Sequence, residues 1–491
     1  MESKRLIYTT TGLVIKPYYP GQCRKLEWMT STYDAIYHKP IPHIGFYNDK
    51  LNAFATYNIG KTYAKTLFPD YDVIQCQTNP IEHTNGFTMK NITLNEYQED
   101  IVSQLEAIDN NAVFINLPTA VGKTVLATTC ISKAKTRAFI MCYSTKILKQ
   151  WMDTFKNMTS LKPSQVLLLS SSKKIDTIYT NPESVKKVEI FLCTSALFDS
   201  YGRNYGYERY YKIFQNLNIG IKVIDEAHTR LGTTVRINAY TNVPKTMYLS
   251  ADYNQANSEM LKLFKNVLFG VPVLKLSDDK MNELKHIKAI VYSFNSIPSI
   301  EDQLSVTAGV YNWSTINYCR YEFDEDKTPM VKAIISILNQ IVQENTISNV
   351  KGLPYKTLIL VQLIEHVDLL ALMLPRIIKN RTFGAYYSEL DEDEKSRAVR
   401  KDIIISTYKS FSTGVNLVAP EIKDVISTCP VDNVTANQSA GRCRPIPDMY
   451  SRVWLVTDYG FTHNVYNIDK TVKYLTKNKV SEIIRKEYED E

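Results

Sequence analysis

The short apolar run Ala112-Val113-Phe114-Ile115 breaks, after Asn116, into Leu117-Pro118-Thr119-Ala120-Val121-Gly122-Lys123-Thr124 and then into the helix-compatible Val125-Leu126-Ala127-Thr128-Thr129. A strand, a tight turn and a helix in that order confine the segment to a βα unit, the setting in which Gly-Lys-Thr forms a phosphate-binding loop. Backbone N–H groups at the helix start then point at phosphates, Lys123 neutralises β/γ-phosphate charge, and the Thr124 hydroxyl serves Mg2+. Leu117 stands at the first glycine position and Ala120 where a second glycine is usual. Taken alone, a chance Gly-Lys-Thr turn competes evenly.

About a hundred residues on, Ile221-Lys222-Val223-Ile224-Asp225-Glu226-Ala227-His228 reads as a buried strand that delivers two adjacent carboxylates to its C-terminal end. Open α/β sheets place their ligands at that edge. Asp225 is suited to hold Mg2+, directly or through water, and Glu226 to orient and deprotonate an attacking water. A solvated strand end is the bland reading of an isolated Asp-Glu pair, and it weakens once a Gly-Lys-Thr turn precedes.

Composition sets bounds without choosing a partner. The 491 residues suffice for about two to four domains. Hydrophobic content of 44% and charged content of 22% are those of a globular protein, and no run of ~18 apolar residues or N-terminal signal core is present. The expectation is an intracellular, cytoplasmic protein with no membrane partner. Eight cysteines without a C-x-x-C pair read as reduced core residues, and the seven histidines form no ligand cluster. A net charge of +7 permits a polyanionic partner.

Residues 1–90 read as a small, loop-rich accessory domain in which Lys16, Arg24, Lys25, Lys61 and Lys65 alternate with Tyr18, Tyr19, Trp28, Tyr57 and Tyr63. Nucleic-acid contact and a plain mixed surface both account for that interleaving. Thr93 or Asn95 is a candidate cap for a helix over Glu99–Ile108, and Gln98 could place its amide on an adenine edge. Strand runs at 138–143, 166–169 and 188–193 alternate with helical stretches, which predicts a parallel sheet. Strand 247–249 ends in Ser250-Ala251-Asp252, and 266–278 reads as a loop-rich connection. The second half repeats the strand-helix theme without a phosphate loop and ends with an arginine pair in Gln438-Ser439-Ala440-Gly441-Arg442-Cys443-Arg444. The tail from Asp469 to Glu491 has helix-like periodicity.

Together these stretches resemble the ordered motifs of superfamily 2 helicases and translocases from about Leu94 to Arg444. Gln98 is similar to the adenine-reading glutamine, Pro118 to Thr124 to motif I, and Asp225-Glu226-Ala227-His228 to the DEAH form of motif II. Ser144 to Trp151 and Cys193 to Leu197 are similar to motifs Ia and Ib, Ser250 to Asp252 to motif III, and Thr357 to His366, Ser406 to Asn416 and Gln438 to Arg444 to motifs IV, V and VI. The resemblance implies an α/β protein of two tandem RecA-like lobes, at 91–280 and 281–491, each with a parallel sheet, preceded by the accessory domain. It implies ATP and Mg2+ as cofactors, held by Gln98, Thr119, Gly122, Lys123, Thr124 and Asp225. Glu226, Gln438, Arg442 and Arg444 would be catalytic, with Arg444 one position early for the motif. Ser144, Thr145, Lys146, Thr194, His366, Thr407 and Gly414 would touch a nucleic-acid backbone, DNA favoured and RNA open. The wording Ile147-Leu148-Lys149-Gln150-Trp151 looks most like a virus-encoded subgroup of UvsW-type and poxvirus-like transcript-release helicases, which suggests transcription or recombination machinery as a partner. A nucleotide-dependent clamp or regulatory subunit without productive turnover is the alternative from another class, and the motor subunit of a restriction-type nuclease a weaker one.

Overall fold

The structure is a computed structural model that describes the chain except residues 1–2, 35–38, 79–83, 85, 119–120, 251–257, 297–305, 308–309, 312–327, 348–354, 413–420, 429–432, 444–445, 447–448 and 489–491. It divides into two compact units, Met1–Leu276 and Ser277–Glu491.

The first unit opens with β1 (Arg5–Tyr8), β2 (Gly12–Lys16), β3 (Gly45–Asn48), β4 (Ala53–Tyr57) and β5 (Asp72–Gln75), a sheet of order β3-β4-β2-β1-β5. Its pairs are antiparallel apart from β1 with β5. Leu6, Tyr8, Leu13, Ile15, Tyr18 and Leu26 fill a core of its own. The interleaved cations and aromatics largely resolve within this fold. Tyr18 and Tyr57 are buried, Lys25 Nζ lies 5.3 Å above the Tyr63 ring, and Tyr19 and Trp28 remain exposed.

A seven-stranded sheet follows, built from β6 (Ala112–Asn116), β7 (Arg137–Cys142), β8 (Val166–Leu169), β9 (Ile190–Thr194), β10 (Ile219–Asp225), β11 (Lys245–Ser250) and β12 (Val273–Lys275) in the order β8-β9-β7-β10-β11-β6-β12. All pairs are parallel. These runs are apolar nearly throughout because helices cover such a sheet on both faces. The register sets Asp225 beside Leu249 and Ser250 beside Asn116, so the strand ends that carry polar residues share one edge. The connection expected over 266–278 is partly regular. A helix covers Ser258–Val267 and Val273–Lys275 adds the edge strand β12, whose three residues are too few to show a period in sequence.

Helices that bear on the site are α1 (Glu96–Ala107), α2 (Lys123–Ala134), α3 (Thr145–Met158), α4 (Ser195–Tyr205) and α5 (Leu231–Ala239). The accessory sheet is fused to α5 and the segment after it. Thr9 Oγ1 donates to the Asn238 carbonyl at 3.0 Å and Thr10 Oγ1 to that of Val243 at 3.0 Å. Gly12 lies so close to α5 that a Cβ there would sit 2.4 Å from Ala239 Cα.

The second unit holds another seven-stranded, all-parallel sheet: β13 (Ile287–Phe294), β14 (Lys356–Val361), β15 (Phe383–Tyr386), β16 (Ile403–Thr407), β17 (Ile422–Ser427), β18 (Ser451–Asp458) and β19 (Val480–Glu487), in the order β15-β16-β14-β17-β18-β13-β19. Alternate residues fall into different cores, with Leu358 and Leu360 in one and Ile359 and Val361 in the other, so both faces are covered. The tail expected to be helical is corrected: a helix spans Thr462–Asn478, but Val480–Glu487 is a strand paired with β13. Its β-branched Val480, Ile483 and Ile484 favour the extended state once a sheet edge is offered.

The α/β class and the two parallel-sheet, RecA-like lobes agree with the sequence expectation.

Candidate active site

Five groups gather at the C-terminal edge of the first lobe's sheet. The turn after β6 ends on Gly122, which caps α2 with φ +92, a left-handed conformation that glycine adopts without strain. No side chain caps α2 there, the kind of helix start whose first-turn N–H groups are suited to an anion. Lys123 and Thr124 are the first two residues of α2. The Lys123 ammonium donates to the carbonyl of Leu117 at 3.1 Å and lies 3.5 Å from that of Pro118. It therefore already sits on the loop that would cradle phosphates. Thr119 lies outside the described residues.

Gln98 braces this loop from α1. Asn95, not Thr93, is the cap: its Oδ1 accepts the Gln98 N–H at 3.2 Å, and Gln98 Oε1 accepts the Asn95 N–H at 3.1 Å. This reciprocal box leaves Nε2 of Gln98 to donate to the Val121 carbonyl at 2.9 Å. The Tyr97 hydroxyl approaches the same carbonyl at 3.4 Å. The carboxamide is thus fixed at the mouth of the loop.

Asp225 ends β10. Part of the residue stays open, but its carboxyl is enclosed, and burial first and the Glu226 charge second push its pKa up to about 6. The Trp151 indole and the Lys123 cation oppose that rise. Oδ1 accepts the Glu226 N–H at 3.0 Å, and Oδ2 accepts the Trp151 Nε1–H at 2.9 Å. Glu226 itself has φ +48, uncommon for a residue with a side chain and typical of sites where function holds the backbone. Its Oε2 lies 3.6 Å from His228 Nδ1, and that nitrogen is 2.7 Å from the buried Ser250 Oγ. The loop after β10 and the end of β11 are thereby joined.

These donors fit a magnesium nucleotide. An uncapped helix start and an ammonium provide for phosphate, and a hydroxyl with two adjacent carboxylates provides for the ion. Among the described residues there is no separate cluster of three or more His, Cys, Asp or Glu able to hold a metal, and no helix long and apolar enough to cross a membrane. Six described cysteines are free thiols.

Of the residues expected at a strand, Ser144 caps α3 through the Ile147 N–H at 3.4 Å, and Thr194 caps α4 through that of Leu197 at 3.2 Å. Thr145 is exposed and Lys146 half-buried beside them. The second lobe differs from expectation. His366 is 1% exposed on α6 (Ile364–Ile377), and burial pulls its pKa to about 4. Thr407 is buried with its hydroxyl on Ser410 Oγ at 2.8 Å. Neither side chain is presented to a ligand, because Thr407 closes β16 inside the core and His366 lies in the first turn of α6 on its buried face. Arg442 follows the helix Asn433–Ala440, half-buried with its guanidinium 5.8 Å above the Phe411 ring. Gly414, Arg444 and the side chain of Gln438 lie outside the described residues.

Residues 91–255 match the family described as type III restriction enzyme, res subunit. The chain carries a superfamily 2 helicase domain. A curated relative of that domain, the helicase/translocase subunit XPB of general transcription and DNA repair factor IIH from Enterocytozoon bieneusi, is 27% identical over 167 residues, which are 33% of this chain and 27% of that protein's length. The structure of S. cerevisiae Dbp5 bound to RNA and ADP BeF3 is similar at a TM-score of 0.52 and 14% identity, covering 80% of this chain and 89% of that one. A second Dbp5 complex with the same ligands matches at 0.52 and 15%, covering 79% and 89%. That likeness is one of fold.

Two features of the helicase domain escaped sequence reasoning. The Trp151 contact to Asp225 joins residues 74 positions apart, which no local pattern announces. Lys222, buried within β10 and bonded to Asn238 Oδ1 and Thr241 Oγ1, did leave a signal: one lysine inside an otherwise apolar strand.

Proposed function

We propose that this chain is an ATP-dependent helicase or double-strand DNA translocase that remodels branched DNA or nucleoprotein complexes, of the virus-encoded kind that its α3 wording suggests. The observation that carries the reading is the meeting of Gly122, Lys123, Asp225 and Glu226 at one sheet edge with the Gln98 amide fixed beside them. Gln98 would read the adenine edge. The α2 start and Lys123 would bind and orient phosphates, and Thr124 and Asp225 would hold Mg2+. When bound, that ion would neutralise phosphate charge and align the oxygens that part. Glu226, held in place by its backbone and by His228, would orient the attacking water and accept its proton. Arg442 is assigned to transition-state charge, a role worth roughly 10³ to 10⁵ in rate where it operates.

Ser144, Thr145, Lys146 and Thr194 are assigned to the nucleic-acid backbone, contacts that position a strand without reading its sequence. DNA is favoured by the kinship with a transcription and DNA repair subunit, and those machineries are the proposed partners. The test is phosphate release with no nucleic acid and with single-stranded DNA, duplex, fork and RNA. Stimulation by duplex or fork that vanishes in Lys123→Ala and Glu226→Gln is expected. Unaltered hydrolysis in either variant would refute the site, and stimulation by RNA alone would make the chain an RNA helicase. The altered loop, with Leu117 and Ala120 in glycine positions, supports one other reading: a nucleotide-dependent clamp, which predicts nucleotide binding without stimulated turnover.

A further inference from the structure

Both oxygens of the Asp225 carboxylate are engaged by the protein, and the two partners differ in kind. The Glu226 N–H on Oδ1 is a neighbour in sequence. The Trp151 indole N–H on Oδ2 comes from the second turn of α3, a helix that starts at Ser144 and Thr145. Trp151 is fully buried, tilted on Phe155 with ring centroids 5.8 Å apart, and Phe155 meets Phe87 edge-on at 6.1 Å. Phe87 belongs to the segment joining the accessory sheet to α1, and its carbonyl accepts the Ser132 hydroxyl of α2. The indole is therefore clamped between α3, that segment and β10.

A buried tryptophan fills space wherever it sits, and its N–H usually finds some acceptor. Here the acceptor is the carboxylate proposed to hold Mg2+, and the bond is charge-assisted. With Oδ1 and Oδ2 each holding a donor, the carboxylate cannot rotate, and its remaining lone pairs point in fixed directions.

We propose that Trp151 is a positioning residue: its indole N–H sets the Asp225 carboxylate and ties it to α3, the helix whose first turn is assigned to the nucleic-acid strand. A displacement of that turn on strand binding then reaches the carboxylate through one rigid side chain. The inference rests on the reading of Asp225 given under Proposed function.

The experiment is a Mg2+ titration of fluorescent ADP-analogue binding to the full chain, with and without a single-stranded DNA oligonucleotide. In Trp151→Phe, which keeps a ring and removes the donor, the Mg2+ midpoint should rise roughly tenfold, equivalent to about 1.4 kcal/mol. Affinity without Mg2+ should hold, and the oligonucleotide should no longer move the midpoint. Phe155→Leu weakens the same packing without touching the bond, so it should lower the melting temperature and leave the Mg2+ midpoint in place. Asp225→Asn should abolish the Mg2+ dependence. If Asp225→Asn keeps it, the reading of Asp225 fails. If Asp225→Asn loses it while Trp151→Phe titrates as the unmutated chain, or Phe155→Leu shifts the midpoint equally, the role given to Trp151 fails. The unmutated chain offers an independent check by NMR of its indole N–H groups. The Trp151 resonance should shift on adding Mg2+ with ADP beyond its position with ADP alone, and a fixed resonance would overturn the inference.

Discussion

Lys222 lies fully buried in the strand that delivers Asp225, with its ammonium 2.7 Å from Asn238 Oδ1 and 2.6 Å from Thr241 Oγ1. Both acceptors are neutral, and burial pulls its pKa from the usual 10.5 to about 7. In the unfolded chain it stays close to its usual value. Between about pH 7 and pH 10.5 the unfolded chain thus binds more protons than the folded one, so stability rises with pH across that window and is lowest below it. Integrating both titrations from pH 7 to pH 9 gives about 2 kcal/mol gained by the native protein. Lys222→Met keeps most of the stem and cannot titrate. It deprives Asn238 and Thr241 of a donor, at about 1–3 kcal/mol each if they stay unsatisfied, but that cost does not change with pH. Urea unfolding of the full chain and the variant at pH 7, 8 and 9, followed by tryptophan emission, should show the difference moving by about 2 kcal/mol in favour of lysine. A difference that stays flat would refute the claim that the amine is deprived of water in the fold.

Gly122→Ala forces a side chain onto φ +92 and sets its Cβ 2.8 Å from Gln98 Nε2; we expect about 1–2 kcal/mol of strain at the turn and weaker binding of a fluorescent nucleotide, measured beside the melting temperature. Because the Asp225 carboxyl is raised to about 6, a proton occupies it below that pH, where an ordinary aspartate would still be ionised. Nucleotide affinity in Mg2+ should therefore fall as pH drops through about 6, with a midpoint that moves lower as Mg2+ is increased; a midpoint near 4 at low Mg2+ would contradict the burial argument. In the second lobe, Arg452 Nε and Nη2 grip the buried Asp424 at 2.6 and 3.1 Å, and Trp454 Nε1 donates to it at 3.0 Å. Arg452→Ala leaves that carboxylate uncompensated, so about 3–5 kcal/mol of lobe stability should be lost in denaturant unfolding.

Much of the first lobe was legible because its motifs are local. Gly122, Lys123 and Thr124 announce a turn and a helix start within eight residues, and the strand runs before them carry their own apolar signature. The ends of elements were read less well. The α1 start at Glu96 was missed by three residues because Asn95 and Gln98 settle it by capping each other. The edge strands Val273–Lys275 and Val480–Glu487 were missed because an edge strand is specified by the neighbour that accepts its hydrogen bonds. Residues 1–90 read as loop-rich, since their seven described strands are short and interrupted by Pro, Gly and Asn, yet they close on a core of tyrosine and leucine.

By itself, then, the order of residues determined the alternation of strand and helix, the Gly-Lys-Thr turn and the adjacent carboxylates, all of which depend on interactions a few residues long. Tertiary structure decided which of those groups meet. It set Trp151 on Asp225 across 74 positions, left Lys222 between two neutral acceptors, joined His228 to Ser250, and buried His366 and Thr407 where an outward reach had been expected. The physical reason is that burial and partner choice are properties of a packed interior, where each polar group must find its bond or carry the cost of lost water, and no stretch of sequence contains the groups that will surround it.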